Sequence, residues 1–410
     1  MSLRVLSITL VVMFGLTVAE AQQQVVEYPI PSGAKPGNVC AEPNHPDGTL
    51  GSEWFVANAS IGKIDTQTLQ MTEYPQLGMT SGLVGCSFSP TGILYFANQK
   101  TFNVYAFDPK TLSVTTIPVP PPNSSMAGMT WHSDGLLYIM VSGSNVIRRL
   151  RADNTWASTI TLPAGSFPHG PSSCADGNVW FAMNTANRLA YVTPAGVVGL
   201  GPDGKPGFVL PQPNSAPFTT ACVDWDNRTY YTLMAANKIA AIDRTTFQIQ
   251  QWDVIGTTPK GIAIGDDSNV YVALSATNQI GIMTLGGGSV VRTPVPTPYT
   301  SPNKLGVGPD RLVWGGEHDR ANFFSVAGSG TSPSSISVEV TPTIVSLQMH
   351  QQFTAQITNS AEGVTWTVTP AIGHIDSNGL FTATGVGTGT VTAISVEDPS
   401  KTASVTVTVR

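Results

Sequence analysis

Asp176-Gly177-Asn178-Val179-Trp180-Phe181-Ala182-Met183-Asn184 is a tight turn followed by an apolar run around a tryptophan. Asp-Gly before such a run is a hairpin signal. The phrase recurs along the chain, with its aromatic at Trp54, Tyr95, Tyr138, Trp180, Tyr230, Tyr271 and Trp314. The spacings are 41, 43, 42, 50, 41 and 43 residues. A period near that length, in strand-like text with no helical text, reads as a β-propeller. One blade cannot bury its own apolar face, so seven must stack around an axis, and a site is expected at the mouth of the central channel. The turn Asp203-Gly204-Lys205-Pro206-Gly207 accounts for the one long spacing.

Each repeat carries four strand-like pieces. An inner strand contains glycine, as in Gly261-Ile262-Ala263-Ile264, and the aromatic strand follows its turn. A third strand reads like Asn237-Lys238-Ile239-Ala240-Ala241-Ile242, and the fourth ends in proline, as in Thr72-Glu73-Tyr74-Pro75. Proline suits an outer edge, where fewer ladder donors are needed. A copy of the fourth piece, Val26-Glu27-Tyr28-Pro29-Ile30-Pro31, precedes the first aromatic strand, and none follows the seventh, which ends near Ser325-Val326. The N-terminal segment is therefore expected to supply the outer strand of the last blade and close the ring.

The expected organisation is a signal peptide over 1–21, a seven-bladed propeller over 22–327, a linker over 328–335 and a small β-sandwich over 336–410. Arg4, the apolar stretch from Val5 to Val18 and Ala19-Glu20-Ala21 have the order of an export signal with its cleavage site. The apolar run is short for a bilayer span, and no second one occurs. The mature chain is expected in a bacterial periplasm or outside the cell. Gly328 to Ser335 is linker-like in composition. Six short alternating runs fill the remainder, Ser337–Thr341, Gln352–Thr358, Val364–Val368, Gly379–Thr384, Gly389–Val396 and Ala403–Val409, the pattern of a sandwich.

Only 11% of residues are charged, and the net charge is −6. Without clustered Lys and Arg, nothing supports nucleic-acid binding. The four cysteines, Cys40, Cys86, Cys174 and Cys222, each lie just before an aromatic strand. If disulfides form in the exported chain, the preferred pairs join neighbouring blades, Cys40 with Cys86 and Cys174 with Cys222; four small buried side chains near the axis are the other reading. No Cys lies near a His at zinc spacing, and no metal site is expected.

Two resemblances follow from these residues. Val364-Thr365-Trp366, Ile375 and Gly379-Leu380-Phe381-Thr382-Ala383 resemble the bacterial Ig-like group 2 family, which implies a spacer or adhesive module with Trp366 in its core. The repeated Glu-Tyr-Pro, Asp-Gly and Trp-Phe phrases, with Ser60-Ile61-Gly62-Lys63-Ile64-Asp65, make 22–326 similar to the virginiamycin B (streptogramin B) lyase family. That resemblance implies a histidine base in a Pro-His-Gly turn, which opens an ester-linked ring by elimination with help from a carboxylate-held magnesium ion. Phe167-Pro168-His169-Gly170 places His169 at the base's position. The family's carboxylate positions are occupied by Phe167 and Asn184, and its second histidine position falls at about Ala127. Nor is any residue acidic at the fourth place after each key aromatic (Asn58, Gln99, Ser142, Asn184, Met234, Ser275, His318). Glu317-His318-Asp319-Arg320 reads as a solvated turn.

The places equivalent to His169 read Gly37, Ala127, Phe218, Lys260 and Asn303, the second blade being open. Together they predict a neutral to weakly basic rim, with Lys260, Phe218, Asn303 and Asn184 as candidate ligand contacts. Two readings remain. One is a binding or scaffold protein without cofactor, for a small molecule, a peptide or a cell-surface polymer. The other is a carbon–oxygen lyase using His169, for which Mg²⁺ would be the only cofactor.

Overall fold

The computed structural model describes residues 23–45, 49–327, 335–340, 344–345, 350–358, 363–369, 372–396 and 402–410. The expected signal peptide and nearly all of the expected linker lie outside them. Seven four-stranded antiparallel sheets follow one another and form the blades of a propeller. Blade 4 is representative, with an inner strand Pro168–Ser173, the aromatic strand Val179–Met183, then Arg188–Val192 and a short outer strand Phe208–Val209. Successive inner strands pack against each other all the way round, the seventh (Pro302–Val307) meeting the first (Pro36–Ala41).

Blade 7 closes the ring as its composition requires. Val25–Pro29 pairs antiparallel with Asn322–Val326, from Val25 opposite Val326 to Pro29 opposite Asn322, and forms the outer edge of a sheet whose other strands are C-terminal. The outer edge of that blade thus costs the chain no further strand after Val326. The long spacing between blades 4 and 5 comes from residues that fold back on blade 4 through bridges Val192–Val198 and Leu200–Pro206, with Arg188 paired to Asp203.

The seven key aromatics are all buried. Burying an indole or phenol also buries a donor, which must find an acceptor. Asp134, Asp176, Asp226, Asp267 and Asp310 each accept from the aromatic four residues later, Tyr138, Trp180, Tyr230, Tyr271 and Trp314. Trp54 donates to Glu42 and Tyr95 to Asn154. The Asp of the turn is therefore part of the repeat, holding inner hairpin and core ring together. Both disulfides join adjacent blades, Cys40–Cys86 and Cys174–Cys222, with Cα atoms 6.0 and 5.7 Å apart.

The C-terminal part is a β-sandwich of two four-stranded sheets. One contains Ser335–Val340, His350–Thr358, Leu380–Ala383 and Gly373–Ile375; the other Ile344–Val345, Thr402–Val409, Gly387–Ser395 and Val364–Thr369. Ile344–Val345 and Gly373–Ile375 were not among the six expected strands, being too short to show alternation. Phe353, Phe381, Val391 and Val407 form its core, and Trp366 is half-buried against them. Among the described residues no helix is long and apolar enough to cross a membrane.

Candidate functional site

Every inner strand begins at one mouth of the channel, and each is bulged there. The ladder slips after Pro36, Val84, Met126, His169, Pro217, Pro259 and Pro302. A bulge turns side chains away from strict alternation. In four blades the residue before the first proline, Phe167, Ala216, Thr258 or Ser301, sits at φ between 47° and 51°, so the chain enters the hub by a sharp turn.

The mouth opens into a cavity of about 600 Å³. Six of the seven second positions line it: Gly37, Val84, Ala127, His169, Phe218 and Asn303. Val84 fills the place that the sequence left open. Lys260 occupies the seventh such position but is not among the lining residues; its charge faces Asp319 and helps hold that carboxyl below the usual range, after hydrogen bonds from Ser301 and His318. Asn184 does not line the cavity either. Its amide donates 2.9 Å to the Pro217 carbonyl and ties blade 4 to blade 5.

His169 and Phe218 form the centre of the wall. Their rings lie 4.0 Å apart at 29°, and His169 Nδ1 lies 2.9 Å from the Phe218 carbonyl oxygen. A carbonyl only accepts, so Nδ1 carries the proton and Nε2 keeps a lone pair. Burial, with the charge of Lys304, pulls His169 down to about 3, against the opposing effect of the Phe218 carbonyl. The ring is thus a neutral hydrogen-bond acceptor across ordinary pH. A base works best with a pKa near the operating pH, so this setting weakens His169 as a proton acceptor.

Lys304 was not anticipated. It is the third residue of the last inner strand, and it reaches past Gly261 of blade 6 to blade 5, where Nζ donates to Thr219 Oγ1 at 3.1 Å and lies 5.5 Å from the Phe218 ring centre. It lines both the mouth and a smaller cavity of about 150 Å³ that includes Gly128, Ser172 and Thr219. Burial brings its ammonium down to about 8. The equivalent residues elsewhere are Asn38, Gly85, Gly128, Gly170, Thr219 and Gly261, so the sequence shows one cation among small or neutral groups.

The expected solvated turn is corrected at its first residue. Glu317 ends the strand Val313–Glu317 and is fully buried, accepting from Asn322 at 2.9 Å. His318 and Asp319 do reach the cavity. Another buried carboxyl, Glu53, packs near Gly306 and also does not line the mouth.

The sequence profile of the virginiamycin B lyase family matches residues 6–274 and 112–322. This chain belongs to the virginiamycin B lyase family. No curated protein matches it. Among solved structures, a streptogramin B lyase is similar, with TM-score 0.63 and 22% identity over 74% of this chain and 98% of that one. Virginiamycin B lyase from Staphylococcus aureus is similar as well, with TM-score 0.65 and 19% identity over 74% of this chain and 99% of its own. A catalytically inactive histidine-to-alanine variant of that enzyme, with quinupristin, gives TM-score 0.64 and 20% identity over 74% and 99%. At such identities the likeness establishes the seven-bladed fold. Magnesium, which family resemblance implies, prefers hard oxygen ligands with carboxylate charge. Here Phe167 and Ala127 line the cavity, Asn184 bonds to Pro217, and Lys304 puts an ammonium in the hub. Among the described residues no three His, Cys, Asp or Glu side chains converge as a metal site. Among the described residues lining the mouth, Asp319 is the one carboxylate.

Proposed function

We propose that this member of the family is an exported propeller that binds a ligand at the channel mouth and does not carry out magnesium-assisted ring opening. The observation that carries the reading is the ammonium of Lys304 in the hub, where the metal reaction needs negative charge. The cavity supplies a stacked His169–Phe218 wall, amides such as Asn303 and a cationic floor, which is binding chemistry for a small molecule or peptide. Export is supported by the apolar stretch from Val5 to Val18 and by two disulfides, which persist in oxidising compartments. The C-terminal sandwich, resembling bacterial Ig-like group 2 modules, is assigned a spacer or adhesive role.

A second reading is favoured by one observation. The Nδ1–H bond to Phe218 leaves His169 Nε2 in the arrangement of a base, so a metal-independent carbon–oxygen lyase is the alternative. Incubation with a cyclic depsipeptide, with and without Mg²⁺, decides between them by mass spectrometry. Intact ring in both supports the binding reading. Linear product that disappears in His169→Ala overturns it in favour of elimination.

A further inference from the structure

We propose that Lys304 forms a carboxylate-binding subsite at the floor of the mouth, so that the ligand is a carboxylic acid with an apolar or planar group beside it. This rests on the binding reading above and names the ligand chemistry.

Charge in the hub is the first ground. Lys304 Nζ can donate three hydrogen bonds, and one neutral acceptor, Thr219 Oγ1, holds it. Asp319 is the carboxylate lining the same cavity, and it is engaged elsewhere, bonded to His318 and facing Lys260. Lys35 adds a second ammonium at the mouth. Among the described residues no carboxylate pairs with this half-buried ammonium, so an arriving anion would supply a counter-charge.

Shape is the second ground. Glycines let neighbouring inner strands pack closely around the hub. A Cβ on Gly261 would lie 2.9 Å from the Lys304 Cα, and one on Gly170 would lie 2.4 Å from the Phe218 carbonyl. The inner strands of blades 6 and 7, and of blades 4 and 5, therefore approach each other closely, and the Lys304 ammonium comes to lie beside the Phe218 ring. A carboxylate on Lys304 then leaves the neighbouring part of the ligand against the Phe218–His169 face, where Nε2 accepts a hydrogen bond from a ligand N–H or O–H.

The probe is N-acetylphenylalanine, compared with N-acetylphenylalaninamide, by isothermal titration calorimetry on the full chain. The acid should bind about ten- to a hundredfold more tightly than the amide, the span of one charge-assisted hydrogen bond. Lys304→Met keeps the stem and should erase that preference while leaving the melting temperature near wild type. If that variant does not fold, wild type alone decides: acid binding should fall as pH rises past about 8, where Lys304 loses its proton, and amide binding should stay level. Equal binding of acid and amide, or an acid preference retained in Lys304→Met or flat with pH, overturns the subsite and leaves the mouth as a binding site for neutral ligands. Failure of the acid to bind wild type also overturns it. The depsipeptide assay reads the parent reading separately.

Discussion

Asp176 Oδ2 accepts the indole N–H of Trp180 at 2.9 Å, four residues away across the turn that joins inner and aromatic strands. The same carboxylate holds the turn itself, through Asn178. Four other blades repeat the pair, which makes it a structural unit of the propeller and not a feature of one site.

Removing that acceptor strands a donor beneath a fully buried ring. Asp176→Ala should cost about 1–3 kcal/mol in urea unfolding, the usual penalty for an unsatisfied buried group. In a Trp180→Phe background, where no N–H needs an acceptor, the same change should cost clearly less. Equal costs in the two backgrounds would show that Asp176 acts only through its turn.

The closing strand predicts a global effect from a terminal deletion. Val25–Pro29 pairs along its whole length with Asn322–Val326, and Val25 is packed in the core between the last two blades. Loss of residues 25–31 should therefore lower the melting temperature of the entire propeller, not only fray blade 7. An unchanged transition in calorimetry would refute closure by this strand.

The same seam predicts a dependence on pH. Burial, then the neighbouring Glu27, raises Glu317 from about 4.5 to about 8. Protonated, it bonds to Glu27; ionised, its Oε1 has no donor. Between those two values the unfolded chain releases a proton that the folded chain keeps. The contribution of Glu317 to stability is therefore whole below about 4.5, declines as pH rises and is lost above about 8. Glu317→Gln should melt several degrees above wild type at alkaline pH, and the two curves should converge in acid. A gap that does not change with pH would refute the shared proton.

How much of the site was legible depends on how far each residue's position follows from local alternation. His169, Phe218 and Asn303 were readable because they hold the same place in successive repeats, and repeats stack in register. Lys260 holds the same place as His169, but its charge faces Asp319; Asn184, the fourth residue after Trp180, bonds to blade 5. Glu317 looked like part of a polar turn because its three successors are polar, yet the strand extends to include it.

The amino-acid sequence by itself determined the seven blades and their closure by an N-terminal strand, because both depend on a repeat whose copies must pack alike; it left open whether the four cysteines pair, and the structure joins Cys40 to Cys86 and Cys174 to Cys222. Tertiary structure alone decided the character of the hub. Bulges break the two-residue period where each inner strand meets the channel, and blades distant in sequence converge there, so a lysine in blade 7 comes to rest against a threonine and a phenylalanine of blade 5. Alternation along one strand carries no record of what stands across the axis.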